Sequence, residues 1–147
     1  MRSLTASFRT ATPDDLPAVL GLLRDASLPE DVEPHFGDFI VAERDGSIVG
    51  AVGPEVLGEG ALLRSLVVRP DLRKSGLGTA LAAKAIRSAT SASIRELFLL
   101  TVDAASFFMR LGFEHVPHAS APPDVRGTRQ FSELCPSTAH LMRLALQ

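Results

Sequence analysis

The feature that most constrains the fold is a strand-like apolar run followed at once by a glycine-rich turn and a helix. Residues 61–68 read ALLRSLVV, the nearly continuous apolar pattern of a central strand that is covered on both faces. RPDLRKSGLGTAL follows over residues 69–81. Such a turn points backbone N–H groups and the positive end of the helix outward, which suits a phosphate or a pyrophosphate. The central strand is therefore predicted to lead directly into an anion site.

Strand and helix patterns alternate along the rest of the chain. Thr12-Pro13, followed by two acids, is typical of a helix start, and this helix is predicted to run to about Ser27. Asp45-Gly46 separates two apolar runs and predicts a tight hairpin turn. The remaining predicted elements are strands at 4–11, 38–56 (two), 94–101, 113–118 and 139–146, and helices at 29–36, 77–90 and from a cap at Asp103 to Gly112.

Composition excludes several classes of function. With 147 residues, 46% of them hydrophobic, and no linker or repeat, the chain is predicted to form one domain over residues 1–147 with a sizeable core. A formal net charge of −2 and the absence of Trp and Tyr argue against a nucleic-acid partner. No apolar run approaches the roughly 18 residues of a membrane span, and the first ten residues lack the apolar core of a signal peptide. We therefore expect a cytoplasmic protein without a membrane partner.

Reactive side chains outside the turn do not form a recognisable site. Cys135 is the single cysteine, which excludes an internal disulfide and a cage of cysteines around a metal. It is either a nucleophile with His140 or, as we interpret it, a buried small side chain. His115 and His118 are separated by Pro117, which prevents a pair of metal ligands on one helix. We expect no metal site.

Two common phosphate-binding loops do not fit the turn. A Walker loop ends in Gly-Lys-Ser/Thr, whereas this chain has Lys74-Ser75-Gly76. A dinucleotide fingerprint needs a third glycine, and Leu81 stands in its place after Gly76 and Gly78. On the two glycines alone, a turn that binds no ligand remains an alternative.

A longer pattern resembles the acetyl-CoA motif of the GNAT superfamily of N-acetyltransferases. In that motif a Leu-x-Val strand end precedes Arg/Gln-x-x-Gly-x-Gly/Ala, which Arg73, Gly76 and Gly78 match. LFLLT and then ASFFMRLGFEHV resemble the second motif of the superfamily, a strand followed by a helix that ends in Leu-Gly-Phe. The resemblance covers essentially the whole chain. ALLRSLVV, FFMRLGF and CPSTA most resemble the arsenic-resistance N-acetyltransferase group, which is kin to the acetyltransferase domains of amino-acid N-acetyltransferases.

The resemblance implies an α/β GNAT fold, with a mixed, largely antiparallel sheet, splayed central strands and helices on both faces. Acetyl-CoA is the implied co-substrate, and its pantetheine arm would satisfy backbone groups at the splay like an added strand. A backbone N–H near Val67 or Val68 would polarise the thioester carbonyl, and a neutral amine would attack it without an acyl-enzyme. The implied cofactor-binding residues are Leu66, Val67, Val68, Arg73, Lys74, Ser75, Gly76, Leu77, Gly78, Thr79, Thr101 and Phe108.

The candidate residues that would bind the acceptor and accept its proton lie mainly in or beside the central strand. Glu55 and Glu59 flank the entry to this strand, either as catalytic bases that act through water or as solvated turn carboxylates. Arg64 interrupts the apolar run, either to hold a substrate carboxylate in a bidentate pair or to cover a sheet edge with its stem. Thr138 matches a position where amino-acid acetyltransferases carry a substrate-binding serine, but Pro136 stands where they carry an arginine.

One role of the family has no residue to fill it. Many relatives carry a Phe-Tyr pair in the second motif, with the tyrosine as the acid for the departing thiolate, whereas this chain has Phe107-Phe108 and no tyrosine. The resemblance thus predicts an N-acetyltransferase for a small amine, an amino acid or an arsenic- or phosphorus-containing analogue, which works without a side-chain acid. The alternative is an acyl-CoA-binding sensor or partner module that transfers nothing. The sequence leaves a homodimer open.

Overall fold

The structure, a computed structural model, describes residues 6–58, 60–128, 131 and 139–146. Within these residues, seven strands form a sheet: β1 (Ser7–Thr10), β2 (Ile40–Arg44), β3 (Ser47–Leu57), β4 (Gly60–Val68), β5 (Glu96–Thr101), β6 (Glu114–His115) and β7 (His140–Ala145). The α-helices are α1 (Leu16–Asp25), α2 (Leu77–Ser91), α3 (Ala105–Arg110) and α4 (Pro123–Arg126). Short 3-10 helices occupy Pro13–Asp15, Glu33–Asp38, Pro70–Leu72 and His118–Ser120.

The strand order in the sheet is β1-β2-β3-β4-β5-β7-β6. β4 and β5 run parallel, whereas β1–β2, β2–β3, β5–β7 and β6–β7 are antiparallel pairs. The predicted mixed, largely antiparallel sheet is therefore confirmed. The chain divides into two compact units, Met1–Pro54 with Ser65–Arg87, and Glu55–Arg64 with Ser88–Gln147. One domain over the whole chain stays a prediction.

In the first unit, helices cover both faces of the sheet. On one face, Val19 of α1 packs in a core with Phe39 and Ala51. Gly50 precedes Ala51 in β3 and points to the other face, because successive strand residues alternate. A Cβ at Gly50 would lie 2.8 Å from Cδ1 of Leu81 in α2, so the missing side chain lets that helix approach closely.

The start of α1 is held by an ion pair between Arg9 and Asp15. The Arg9 guanidinium donates from Nη1 to Oδ2 of Asp15 at 2.8 Å and from Nη2 to Oδ1 at 3.0 Å. The Asp15 carboxylate also accepts the backbone N–H of Thr12 at 2.7 Å. The hydrogen bond from Arg9 lowers the pKa of Asp15 below its ordinary value. This charged contact ties β1 to the predicted helix start.

The second unit is built around β5. Its parallel register with β4 consists of the pairs Gly60–Glu96, Ala61–Leu97 and Leu62–Phe98. On its other edge, β5 pairs with β7 from Glu96–Ala145 to Thr101–His140. A core cluster beside these strands comprises Leu62, Phe98, Ala121, Val125 and Leu141.

Two predicted helix starts differ from the structure. The helical turn predicted at residues 29–36 lies at Glu33–Asp38, with Pro34 in its first turn, where an N–H is not needed. Asp103 was predicted to cap α3, and this was wrong because the cap residue is Ala104. The Thr101 hydroxyl accepts the Ala104 N–H at 3.0 Å and replaces the expected carboxylate.

The strand predicted to start at Phe113 is short. β6 contains only Glu114 and His115, although the Val116 N–H still donates to the Leu141 carbonyl at 3.0 Å. Pro117 has no N–H with which to continue the ladder. The predicted end of α3 is confirmed, since Gly112, which follows the C-cap residue Leu111, takes a left-handed φ of 103°.

Candidate active site

The central strand β4 changes its backbone conformation at Ser65. This residue has a φ of 63°, in the left-handed region that residues other than glycine rarely adopt. The parallel register with β5 ends at Leu62–Phe98, although β4 continues to Val68 and β5 to Thr101. The paired residues therefore cover only part of each strand. Sequence reasoning missed the distortion at Ser65, because a serine within an apolar run gives no signal for it.

Arg73 and Gly76 shape the loop between β4 and α2. Arg73 Nε donates to the Val68 carbonyl at 3.3 Å, which holds the start of the loop against the end of the strand. Lys74 and Gly76 both have left-handed backbones, with φ values of 68° and 90°. A Cβ at Gly76 would meet nothing within 4 Å, so its glycine is required by the backbone angle and not by crowding.

The loop is open to solvent and ends at the start of a long helix. Residues 73–76 are exposed, and α2 begins at Leu77 and runs for 15 residues. Ser75 Oγ accepts the Leu77 N–H at 3.4 Å. The N–H groups of the first turn of a helix have no partner within the helix, and the helix dipole makes this end positive. This arrangement can bind a phosphate or a pyrophosphate.

Arg44 lies beside this loop, and sequence reasoning did not identify it. It lines a cavity of about 280 Å³ together with Phe8, Leu72, Ser75 and Gly76. Its Nε is buried and has no hydrogen-bond partner among the described residues. Arg44 is the last residue of β2, directly before the hairpin turn, and only the folded sheet brings it to the loop. Arg44 thus adds a positively charged side chain beside the loop, in addition to Arg73 and Lys74.

Glu55 and Arg64, predicted separately, form an ion pair. Arg64 Nη1 donates to Glu55 Oε1 at 3.2 Å, from β4 to the neighbouring strand β3. The Arg64 side chain is only 3% exposed and that of Glu55 is only 14% exposed. Glu55 is therefore not a solvated turn carboxylate, and Arg64 does more than cover an edge with its stem. A buried guanidinium with a fixed partner can orient a second carboxylate.

Thr101 and Phe108 lie where β5 ends and α3 follows. The Thr101 hydroxyl accepts the N–H of Ala104, the cap residue of α3. Phe108 is 8% exposed and packs edge-on against Phe107 and Phe113, with ring centroids 5.0 Å and 5.7 Å away. Most of Phe108 is thus part of the core.

Three candidates lie outside the described residues: Glu59, Cys135 and Thr138. Within the described ranges, no three His, Cys, Asp or Glu side chains lie close enough together to hold a metal ion. No helix in the part of the chain that the structure describes is both long and apolar enough to cross a membrane.

Comparisons with known proteins agree with this geometry. The acetyltransferase (GNAT) domain family matches residues 35–115, more than half of the chain. An amino-acid acetyltransferase of Aeromonas salmonicida (strain A449) is 31% identical over 124 residues, which are 78% of this chain and 28% of that protein. The chain therefore spans less than a third of the length of this relative.

Two crystal structures share the fold. N-acetylglutamate synthase from Neisseria gonorrhoeae, complexed with coenzyme A and L-arginine, superposes with a TM-score of 0.82 at 24% identity, covering 99% of this chain and 34% of that one. Rv2747 from Mycobacterium tuberculosis, in complex with CoA, has a TM-score of 0.82 at 22% identity, covering 96% and 99%. The mixed seven-stranded sheet, the glycine loop and the family match together lead to one assignment. This chain belongs to the GNAT acetyltransferase family, whose co-substrate is acetyl-CoA.

Proposed function

We propose that this chain transfers an acetyl group from acetyl-CoA to the amine of a small acceptor that carries a carboxylate. The acceptor would be an amino acid or an arsenic- or phosphorus-containing analogue, as in the arsenic-resistance group that the sequence resembles. The observation that carries the proposal is the loop of residues 73–79, tied to β4 through Arg73 and opened by the left-handed Gly76. A cytoplasmic location and a homodimer stay predictions.

The loop supplies the proposed pyrophosphate site. Backbone amides from Lys74 to Thr79, with Ser75, Leu77 and Gly78 among them, would hold the pyrophosphate, since they lie at the exposed start of α2. Arg73 would keep the loop in place, and Arg44 would add positive charge beside it. Each contact is charge-assisted, which strengthens a hydrogen bond to an anionic oxygen.

The distorted part of β4 supplies the proposed thioester site. Backbone groups of residues 66–68, Leu66, Val67 and Val68, would pair with the pantetheine arm, because the register with β5 ends before them. The N–H of Val67 or Val68 would stabilise negative charge on the thioester oxygen. Thr101 and the exposed part of Phe108 would contact the arm and its sulfur.

The proposed reaction is a direct transfer. The amine nitrogen forms a C–N bond to the thioester carbon, the C–S bond breaks, and CoA leaves as a thiolate. The proton released from the amine passes through water to a carboxylate, for which Glu55 and Glu59 are the candidates. The thiolate needs no strong acid, because a thiol with a pKa of about 8.5 is a tolerable leaving group.

Arg64 is the proposed contact for the acceptor's carboxylate. Its guanidinium is buried, with 3% of the side chain exposed, and its planar donors match a carboxylate. Thr138 is proposed to assist, as the serine does in the amino-acid acetyltransferases that the sequence resembles. An amino-acid acceptor with an α-carboxylate also has an α-amine, whose pKa lies below that of a lysine side chain, so that it deprotonates more easily.

Thiol release from acetyl-CoA tests the proposal directly. The acceptor panel would contain L-glutamate, L-methionine, their α-amides, and amino-acid analogues that contain arsenic or phosphorus, with mass spectrometry to identify each acetylated product. We expect turnover of at least one free acid and weaker turnover of its amide. Binding of acetyl-CoA with no acetylation of any amine would contradict the proposal. That outcome would favour an acyl-CoA-binding module, for which the missing tyrosine is the supporting observation.

A further inference from the structure

The ion pair between Glu55 and Arg64 is the most buried of those in the described residues. The Glu55 side chain is 14% exposed and that of Arg64 is 3% exposed, whereas those of Glu96 and Arg143, a comparable pair on adjacent strands, are 34% and 33% exposed. A charge at this depth cannot turn to water if its partner is removed. A change in the charge of Glu55 or Arg64 therefore affects both residues.

We propose that Glu55 is a positioning residue that orients Arg64 for the acceptor's carboxylate, and that Glu55 is not the catalytic base. The inference rests on the proposed function, because it concerns the same acceptor. Glu55 contacts Nη1 of Arg64, and a guanidinium carries five N–H donors in a rigid plane. Fixing one corner of this plane therefore fixes the direction of the others.

A base role conflicts with the burial of this pair. A base must accept a proton in every turnover, and a protonated Glu55 would leave the Arg64 cation buried beside a neutral group. Removing the charge of one partner from a buried pair is strongly unfavourable. A positioning role needs no such step, since Glu55 stays ionised throughout the reaction. The proton then passes to another carboxylate, for which Glu59 is the remaining candidate.

The pair also explains how Arg64 can remain buried before an acceptor arrives. Glu55 compensates its charge in the free protein, so the guanidinium is held in one place and does not require water. An acceptor's carboxylate would meet an ordered group and lose less entropy on binding. The expected consequence is selectivity for acceptors with a carboxylate, and this selectivity should depend on Glu55.

Kinetics of Glu55→Gln with a free acid and its amide test the proposal. L-glutamate and L-methionine would be compared with their α-amides at saturating acetyl-CoA. We expect the KM of the free acid to rise by about tenfold, with kcat within about threefold, the KM of the amide unchanged and the pH profile of kcat unchanged. Glu96→Gln is the matched control, because it removes the carboxylate of the Glu96–Arg143 pair, which is more exposed than that of Glu55. It should leave both KM values unchanged.

Several outcomes would overturn the inference. A fall in kcat that is equal for free acid and amide, with loss of the rising limb of the pH profile, would make Glu55 the base. Glu55→Asp keeps the charge and serves if the glutamine variant does not fold; it should restore part of the selectivity for the free acid. An aspartate variant that folds and shows the full loss of Glu55→Gln would contradict a positioning role.

A second measurement does not need an acceptor. In the ¹⁵N-arginine spectrum, the side-chain Nε–H signal of Arg64 is identified by its disappearance in Arg64→Lys. We expect Glu55→Gln to shift and broaden this signal, while Glu96→Gln leaves it in place. An unchanged Arg64 signal in folded Glu55→Gln would overturn the inference even if the wild type acetylates a free acid. Conversely, a shifted signal in a protein that acetylates nothing would refute the proposed function and leave the orienting contact established.

Discussion

Arg73 donates from Nε to the backbone carbonyl of Val68 at 3.3 Å, so a cation of the loop is bonded to the last residue of the central strand. Through this contact the strand and the loop form one continuous backbone surface. In the proposed function, Val68 contacts the pantetheine arm and the loop contacts the pyrophosphate. The bond therefore sets the distance between the two proposed cofactor contacts.

Gly76→Glu should weaken the binding of acetyl-CoA. The substitution places a negative charge and a side chain where the phosphates are proposed to approach, at a backbone φ of 90° that a glutamate adopts with strain. We expect the affinity measured by calorimetric titration to fall at least tenfold, equivalent to about 1.4 kcal/mol. Gly46→Glu is the matched control, because Gly46 also has a positive φ of 81° and open space around its Cβ. Equal affinity for the wild type and folded Gly76→Glu would remove the loop from the cofactor site.

Ser65 should respond differently to glycine and to valine. Its φ of 63° favours glycine and opposes a β-branched residue, at a cost of about 1–2 kcal/mol per residue in the left-handed region. We expect Ser65→Gly to keep the free energy of unfolding of the wild type or raise it, and Ser65→Val to lower it by about 1–2 kcal/mol, as measured by denaturant titration. Ser47→Val, on an exposed position in β3, is the control and should have little effect. A stable Ser65→Val protein would mean that β4 can fold without the distortion.

The sequence predicted those elements whose determinants are local. The apolar run of β4, the glycine loop and the Asp45-Gly46 turn each depend on neighbouring residues, and the two turn residues have φ values of 52° and 81°, as a tight hairpin requires. The cap of α3 was predicted wrongly, because Asp103 and the Thr101 hydroxyl are both suitable acceptors and only the path of the backbone decides between them.

The pairings within the candidate site could not be predicted in this way. Glu55 and Arg64 are nine residues apart, and they meet only because of the particular register of β3 and β4. Arg44 reaches the loop only once the sheet has formed. Register and packing depend on the whole chain, so the residue types of the site were identifiable from the sequence, whereas their partners were not.

Asp15→Asn should destabilise the protein in a pH-dependent way. The contact with Arg9 lowers the pKa of the folded Asp15 carboxyl below its ordinary value of 3.8, so the unfolded chain binds this proton more readily. The stabilisation is therefore complete above about pH 4 and is lost as the pH falls further. We expect Asp15→Asn to lower the thermal midpoint at pH 7 by about 2–4 °C and to flatten its decline at acid pH. Asp14→Asn, at the exposed neighbour, is the control, and parallel pH curves for wild type and Asp15→Asn would contradict the argument.

Phe108→Tyr tests the absent acid. Phe108 is 8% exposed and packs against Phe107 and Phe113, so the ring of a tyrosine there would be held in the same place. A thiolate with a conjugate acid pKa of about 8.5 leaves without help, and the larger barrier is the deprotonation of the amine. We therefore expect kcat to change by less than about tenfold, well below the roughly 10²–10⁴-fold effect of a positioned acid.

The pH dependence of the wild type completes this test. Its kcat/KM should rise with pH through the pKa of the acceptor's amine and should show no alkaline fall from a phenol, because the chain contains no tyrosine. In Phe108→Tyr, such a fall would appear only if the new hydroxyl acts as the acid. A wild type that acetylates no amine, together with strong turnover in Phe108→Tyr, would mean that the phenylalanine marks a lost activity. The chain would then bind acyl-CoA as a sensor, because the loop at Gly76 is intact while the transfer chemistry is not.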